Sequence, residues 1–126
     1  MKLLIAATVR AKEYESLSRK ITFEILKAAA RKSLEGLGVT IKSSRKQAGT
    51  LLKKVYITTP SGAARVIFLI QIDADKAILV MLRLKTDKQI GSNMTVDNPD
   101  FRKVLERNIE SIVRDIKSHR YEIFEI

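Results

Sequence analysis

The stretch Ala64-Arg65-Val66-Ile67-Phe68-Leu69-Ile70-Gln71-Ile72, then Asp73-Ala74-Asp75, then Lys76-Ala77-Ile78-Leu79-Val80-Met81-Leu82-Arg83-Leu84-Lys85 decides the fold. Two short runs of Val, Ile, Leu, Phe and Met bracket a polar turn, which predicts a hairpin of central strands covered on both faces. Just upstream, Leu51 to Thr59 alternates, with Lys53, Val55 and Ile57 on one side and Leu52, Lys54 and Tyr56 on the other. Pro60-Ser61-Gly62 turns that strand back into the hairpin, so three consecutive strands are expected to be antiparallel neighbours. Hairpin register decides which basic residues meet. A two- or four-residue loop at Ala74 sets Arg65 opposite Leu84, whereas a three-residue loop sets Arg65 opposite Arg83.

Outward from this centre, Lys2 to Arg10 reads as a short, well-buried first strand. From Ala11 to about Leu37 apolar residues recur at helical spacing on two lines, one through Leu17, Ile21, Ile25 and Ala28, the other through Phe23, Leu26, Ala30 and Leu34. One long helix and a helical hairpin capped at Ser16 or Ser18 both satisfy that pattern, and Gly36 and Gly38 supply the stop. Val39 to Thr50 has the composition of an exposed basic loop, carrying Lys42, Arg45 and Lys46. Asn98-Pro99-Asp100 is a strong helix start, with a capping side chain, a proline at the first position and an acid facing the helix dipole. The helix reaches about Ser118, and Tyr121 to Ile126 alternates as a last edge strand would. The expected fold is α+β: a small, mostly antiparallel sheet in the order β-α(α)-β-β-β-α with a final strand, N-terminal helices on one face and a long C-terminal helix. At 126 residues and 45% apolar composition the chain reads as one domain, with residues 98–126 a C-terminal extension.

The net charge of +10 is unevenly spread. Residues 1–59 hold 13 basic and 4 acidic groups, whereas residues 87–126 hold 7 and 8. A field this lopsided concentrates phosphate-bearing partners near the first half of the chain. The sequence contains no cysteine, which rules out disulfides and thiol catalysis and suits a cytoplasmic setting. Its apolar runs are too short for a signal-peptide core or a membrane span.

Few residues suit catalysis. The only histidine, His119, stands at a helix end with no cysteine to join it, so neither a metal site nor a nucleophilic triad is expected. Asp73 and Asp75 read as turn residues. What remains is basic: Lys53 and Lys54 on one strand, Arg65 opening the next, Arg83 and Lys85 closing the third, then Lys88. If the three strands are neighbours, these cations gather at one sheet end. There they can hold a phosphodiester and stabilise the extra charge of its transition state. The competing reading is that strand-end Lys and Arg merely keep the sheet ends solvated and unaggregated.

The segment Lys53-Lys54-Val55-Tyr56-Ile57, followed by Ser61-Gly62-Ala63-Ala64-Arg65-Val66-Ile67-Phe68-Leu69-Ile70, a short acidic turn, and Ile78-Leu79-Val80-Met81-Leu82-Arg83-Leu84-Lys85, resembles the RelE/ParE superfamily of toxins from bacterial toxin–antitoxin pairs. The resemblance covers about residues 49–95. It implies a small α+β fold with helices on one face of the sheet, an acidic antitoxin that wraps the toxin, and no cofactor. For activity it implies one of two kinds, since some members cut messenger RNA on the ribosome and others poison DNA gyrase without cutting; the leading expectation is a ribosome-dependent, metal-independent endoribonuclease that inhibits translation. On the matching positions Lys53 or Lys54, with Arg65, would contact phosphate and assist catalysis, and Lys85 or Lys88 would be the basic residue after the hairpin. The expected catalytic set is Arg65, Lys54 and Lys85, with Lys53, Arg83, Lys88 and, outside the matching stretch, the loop cations Lys42, Arg45 and Lys46 expected to bind RNA phosphate. The sequence departs from the pattern in having no His or Tyr close after the third sheet strand and in its longer C-terminal helix. Two other functions remain open. One is a non-catalytic RNA-binding module, because α-β-β-β-α is also the order of double-stranded RNA-binding domains. The other is a gyrase-inhibiting or inactive member of the superfamily.

Overall fold

The computed structural model describes residues 1–41 and 49–126. Six strands form one sheet: β1 (Lys2–Ala6), β2 (Val39–Ile41), β3 (Thr50–Thr59), β4 (Gly62–Gln71), β5 (Lys76–Leu84) and β6 (Tyr121–Glu125), in the spatial order β2-β3-β4-β5-β1-β6. All pairings are antiparallel except β1 with β5. The α+β class, the mostly antiparallel sheet and the long C-terminal helix are those expected. The central hairpin is the heart of the core, with Val66, Ile67, Phe68, Ala77, Leu79, Val80, Met81 and Leu82 fully buried.

Several boundaries differ from the sequence reading. The first strand stops at Ala6. The chain then winds through a helical turn, α1 (Ala7–Val9), a wider π-helical turn at Arg10–Tyr14 and a 3₁₀ turn at Glu15–Leu17. The regular helix, α2 (Phe23–Leu34), follows this short irregular helical stretch after a turn, which is the two-helix alternative and not one long helix, but its cap is Thr22, whose Oγ1 accepts from Ile25 N at 3.3 Å. Ser18 donates to Glu15 O within the preceding turn instead. Val39–Ile41, read as loop, pairs with Leu52, Lys53 and Lys54 as an edge strand. That pairing needs Gly38, whose φ is +95° and whose Cα lies so close to β3 that a Cβ would sit 2.7 Å from Lys54 O.

The hairpin reaches its register by a route that loop length does not describe. Gln71 pairs with Lys76 across a four-residue turn over 72–75, one residue earlier than a loop over 73–76, so its phase would bring Arg65 opposite Leu82 and not Leu84. Ile67 pairs with Met81 but Phe68 with Leu79, so Val80 is an extra residue, a β-bulge. The bulge advances β5 by one position and sets Arg65 opposite Arg83. It also takes a carbonyl out of the ladder: Val80 O is met by the amide of buried Asn108 at 2.8 Å.

Asn108 belongs to α3 (Pro99–Lys117), capped by Asn98 with Pro99 at its first position, as the sequence signals. Residues 85–98 cross the side of the sheet that carries Lys54 and Arg65, and α3 packs on β5 and β1. Helix α2 lies over the other side, its C-terminal turn facing Leu51, Lys53 and Ile70. Helices therefore flank both faces, not the one face that the family resemblance implies. No helix among the described residues is long and apolar enough to cross a membrane.

Candidate nucleic-acid interface

Strand parity sorts the basic residues. Lys54, Tyr56 and Arg65 lie on one side of the sheet, Tyr56 directly opposite Arg65 and Arg65 directly opposite Arg83. Ala63 O accepts from Lys85 N at 2.9 Å, which extends the register one step and gives Lys85 the parity of Arg83. Lys54, Arg65, Arg83 and Lys85 thus share a face at one end of the sheet. Lys53 does not: it points to the α2 side, where its Nζ reaches Gly36 O at 3.5 Å. The expectation that Lys53 joins the cluster is corrected by simple alternation. Lys88 is exposed in the crossing segment, and Lys42, Arg45 and Lys46 lie outside the described residues.

Each cation is held differently. Lys54 is only 8% exposed, rare for a lysine, and donates to Met94 O at 3.0 Å. Arg65 donates to Gly91 O. Both therefore staple the crossing segment to the sheet, and one bond does not exhaust the three donors of an ammonium or the five of a guanidinium. Between them stands Tyr56, 55% exposed, with Lys54 Nζ 5.6 Å and the Arg65 guanidinium 5.4 Å from its ring centre. These are cation–π distances. The exposed remainder of an aromatic ring flanked by positive charge is a surface on which a base can stack while its phosphate meets a cation. Tyr56 carried no role in the sequence reading. Its position two residues after Lys54 and across from Arg65 was the signal available.

Arg83 is committed elsewhere. Its Nε donates to Glu13 Oε1 at 3.0 Å and its second terminal nitrogen to Glu13 Oε2 at 3.1 Å, while the first reaches Asp87 and Gln89. Glu13, on the π-helical turn, is buried and also accepts the backbone N–H of Leu82 at 3.1 Å. The turn thus occupies the edge of β5 that β1 leaves unpaired beyond Ile78, and its carboxylate satisfies both the exposed strand and the neighbouring charge. Burial disfavours the charged form of Arg83, but hydrogen bonding and attraction from Glu13, then Asp87, outweigh it and raise its pKa. Burial likewise works against ionised Asp87, yet the Ile90 N–H, the Arg83 charge and the Gln89 N–H hold its carboxyl below the usual range. Two arginines directly opposite each other would repel. Neutralising Arg83 removes that conflict and leaves Arg65 as the guanidinium beside the open ring.

Beside this network, Lys12, Glu13, Ser16, Leu82, Arg83 and Asp87 border a cleft of about 330 Å³. Among the described residues no group of three or more His, Asp or Glu side chains is arranged to hold a metal ion. No protein-family model, no curated protein and no solved structure matches the chain significantly.

Proposed function

We propose that the protein binds RNA on the Tyr56 face and cleaves it there, as a ribosome-dependent endoribonuclease of the RelE/ParE type. The carrying observation is the exposed Tyr56 ring between the Lys54 and Arg65 charges. In this reading a base stacks on Tyr56 and the adjoining phosphate meets Arg65 and Lys85. When the ribose 2′-oxygen attacks phosphorus and the 5′-oxygen leaves, charge builds on the phosphoryl oxygens, where guanidinium and ammonium groups stabilise it. The phenol of Tyr56 is the cluster's group for moving a proton. An acidic antitoxin fits the same picture. A shallow apolar groove of about 270 Å³ runs between Leu34, Leu51, Ile70 and Ile72, with Lys53 on its rim and exposed Leu37 and Val39 in the neighbouring β2 segment.

A second reading, a non-catalytic RNA-binding module, is favoured by the bonds of Lys54 and Arg65 to Met94 O and Gly91 O, which give both residues a structural task. Tyr56→Phe separates the two. With translating ribosomes, the nuclease reading expects wild-type protein to cut messenger RNA and the Phe variant to bind RNA normally but cut at least tenfold more slowly. Intact transcripts with wild-type protein, alongside measurable binding, leave the module. No binding by either sinks both.

A further inference from the structure

We propose that the outer edge of β6 is a self-complementary docking edge through which two copies of this chain join their sheets into one twelve-stranded sheet. The inference starts from the direction of backbone groups on the last strand and is independent of any activity on RNA.

β6 pairs with β1 in the register Lys2 with Glu125 through Ala6 with Tyr121. Ile126 donates its N–H to Met1 O at 3.1 Å, and Ala7 donates to Arg120 O at 2.9 Å. Antiparallel pairs alternate between hydrogen-bonded and non-bonded positions, so Glu122 and Phe124 also turn their N–H and C=O groups toward β1. Tyr121, Ile123 and Glu125 therefore turn theirs outward. β6 ends the strand order, and among the described residues nothing pairs with that side.

An outward set at every second residue is what a two-fold axis through Ile123 requires. With Ile123 opposite its own copy, Tyr121 falls opposite Glu125, and all three residues on each chain exchange both backbone bonds. The same register keeps like charges apart: Glu125 faces Tyr121, and Glu122, already paired with Arg10 of its own chain, faces Phe124. Shifting the chains so that Glu122 meets Glu122 loses both advantages. At the axis lies Ile123, 44% exposed. This is the isologous geometry of a two-fold dimer.

Charge selects this edge over the other one. The net +10 opposes self-association, but residues 87–126 are balanced, 7 basic against 8 acidic, so two copies meet at their least repulsive ends. The opposite edge, β2, has three residues and adjoins the basic half of the chain. Successive pairings relate Ile123 to Leu4, Ile78, Leu69 and Leu52, which share a side with Tyr56. Paired residues point to the same side of a sheet, so the dimer would carry both Tyr56 faces on one surface. With strands about 4.8 Å apart, the two β3 strands would lie roughly 40 Å from each other.

An interface of one strand edge is modest in area, so the association should depend on concentration and strengthen in salt that screens the net charge. Sedimentation velocity across a concentration series in high salt is the test. Wild type is expected to shift from monomer to dimer, and Ile123→Pro to remain monomeric with an unchanged melting temperature. The proline removes an outward N–H and no bond to β1. Monomer at every concentration overturns the proposal, as does a dimer that persists in a folded Ile123→Pro protein. Should the variant fail to fold, amide exchange of wild type decides. The N–H groups of Tyr121, Ile123 and Glu125 are expected to become at least tenfold more protected as concentration rises, and concentration-independent exchange at these three overturns it.

Discussion

Glu13 shows how much one buried side chain can settle. It caps the free edge of β5 at Leu82, neutralises Arg83 across from Arg65, and fixes the π-helical turn to the sheet. Removing one partner from such a pair leaves the other desolvated and unpaired, typically a loss of about 3–5 kcal/mol. Arg83 is partly exposed, with 16% of its side chain accessible, so water can re-solvate it in part and the low end applies. Glu13→Ala should therefore lower stability by about 3 kcal/mol, read as a fall in urea midpoint at constant slope. Asp115 is buried and accepts Thr8 N–H at 2.8 Å, tying α3 to the turn after β1. That backbone bond, against the opposing effect of burial and aided by Arg120 and Arg114, lowers its pKa. A carboxyl with a depressed folded-state pKa contributes stability above its unfolded value, about 4, and loses it as pH falls through the lower folded value. Asp115→Asn should thus melt below wild type at neutral pH, with the gap closing as the solution is acidified. Neither role was legible in the sequence. Glu13 sits in a segment whose period reads as ordinary helix, and Asp115 on a helix face that looks solvated. Only tertiary contact gives either of them a partner.

At the scale of elements, legibility followed local chemistry. Asn98-Pro99-Asp100 set the start of α3 because cap, proline and acid act within one turn, and the central strands were plain in their apolar runs. The side on which each strand residue falls followed from alternation alone, which is why Lys54, Tyr56 and Arg65 could have been grouped and Lys53 set apart before any coordinates. What stayed hidden was the bulge at Val80, since an extra residue leaves no mark in a run that is apolar throughout. Its consequence is chemical: without it Arg83 would fall on the opposite side from Arg65. Asn108 meets the carbonyl the bulge exposes, and Asn108→Leu leaves Val80 O buried without a partner. A loss of about 1–3 kcal/mol is expected by denaturant unfolding. β2 was missed because three residues among polar neighbours carry no period. Gly91 closes the crossing segment so tightly that a Cβ would collide with Leu84 O and sit 2.8 Å from Asp87 N. Gly91→Ala should therefore displace the carbonyl that Arg65 holds, costing about 1–3 kcal/mol, and would weaken the proposed RNA binding together with the fold.

For the whole molecule, the nucleic-acid binding proposed above raises the question of how a sheet with one exposed aromatic ring and a charge of +10 would discriminate among polyanions. Long-range attraction would draw any nucleic acid to the basic half, and that component would weaken with salt roughly in proportion to the phosphates neutralised. Stacking on Tyr56, in the proposed mode, would be short-range and comparatively insensitive to salt, contributing about 1–3 kcal/mol where a base is free to leave its neighbours. The two contributions separate by ligand. Single-stranded RNA should retain binding at salt concentrations that release a duplex of equal charge, because paired bases cannot reach the ring. Tyr56→Ala should remove that difference, weakening single-strand binding roughly tenfold or more while leaving the slope of log K against log salt unchanged. Lys85→Ala should instead reduce the slope by about one phosphate and affect both ligands alike. Fluorescence anisotropy over a salt series measures all three quantities at once. Equal affinity for single strand and duplex, unaltered by Tyr56→Ala, would leave the positive field as the sole source of binding and remove Tyr56 from the site.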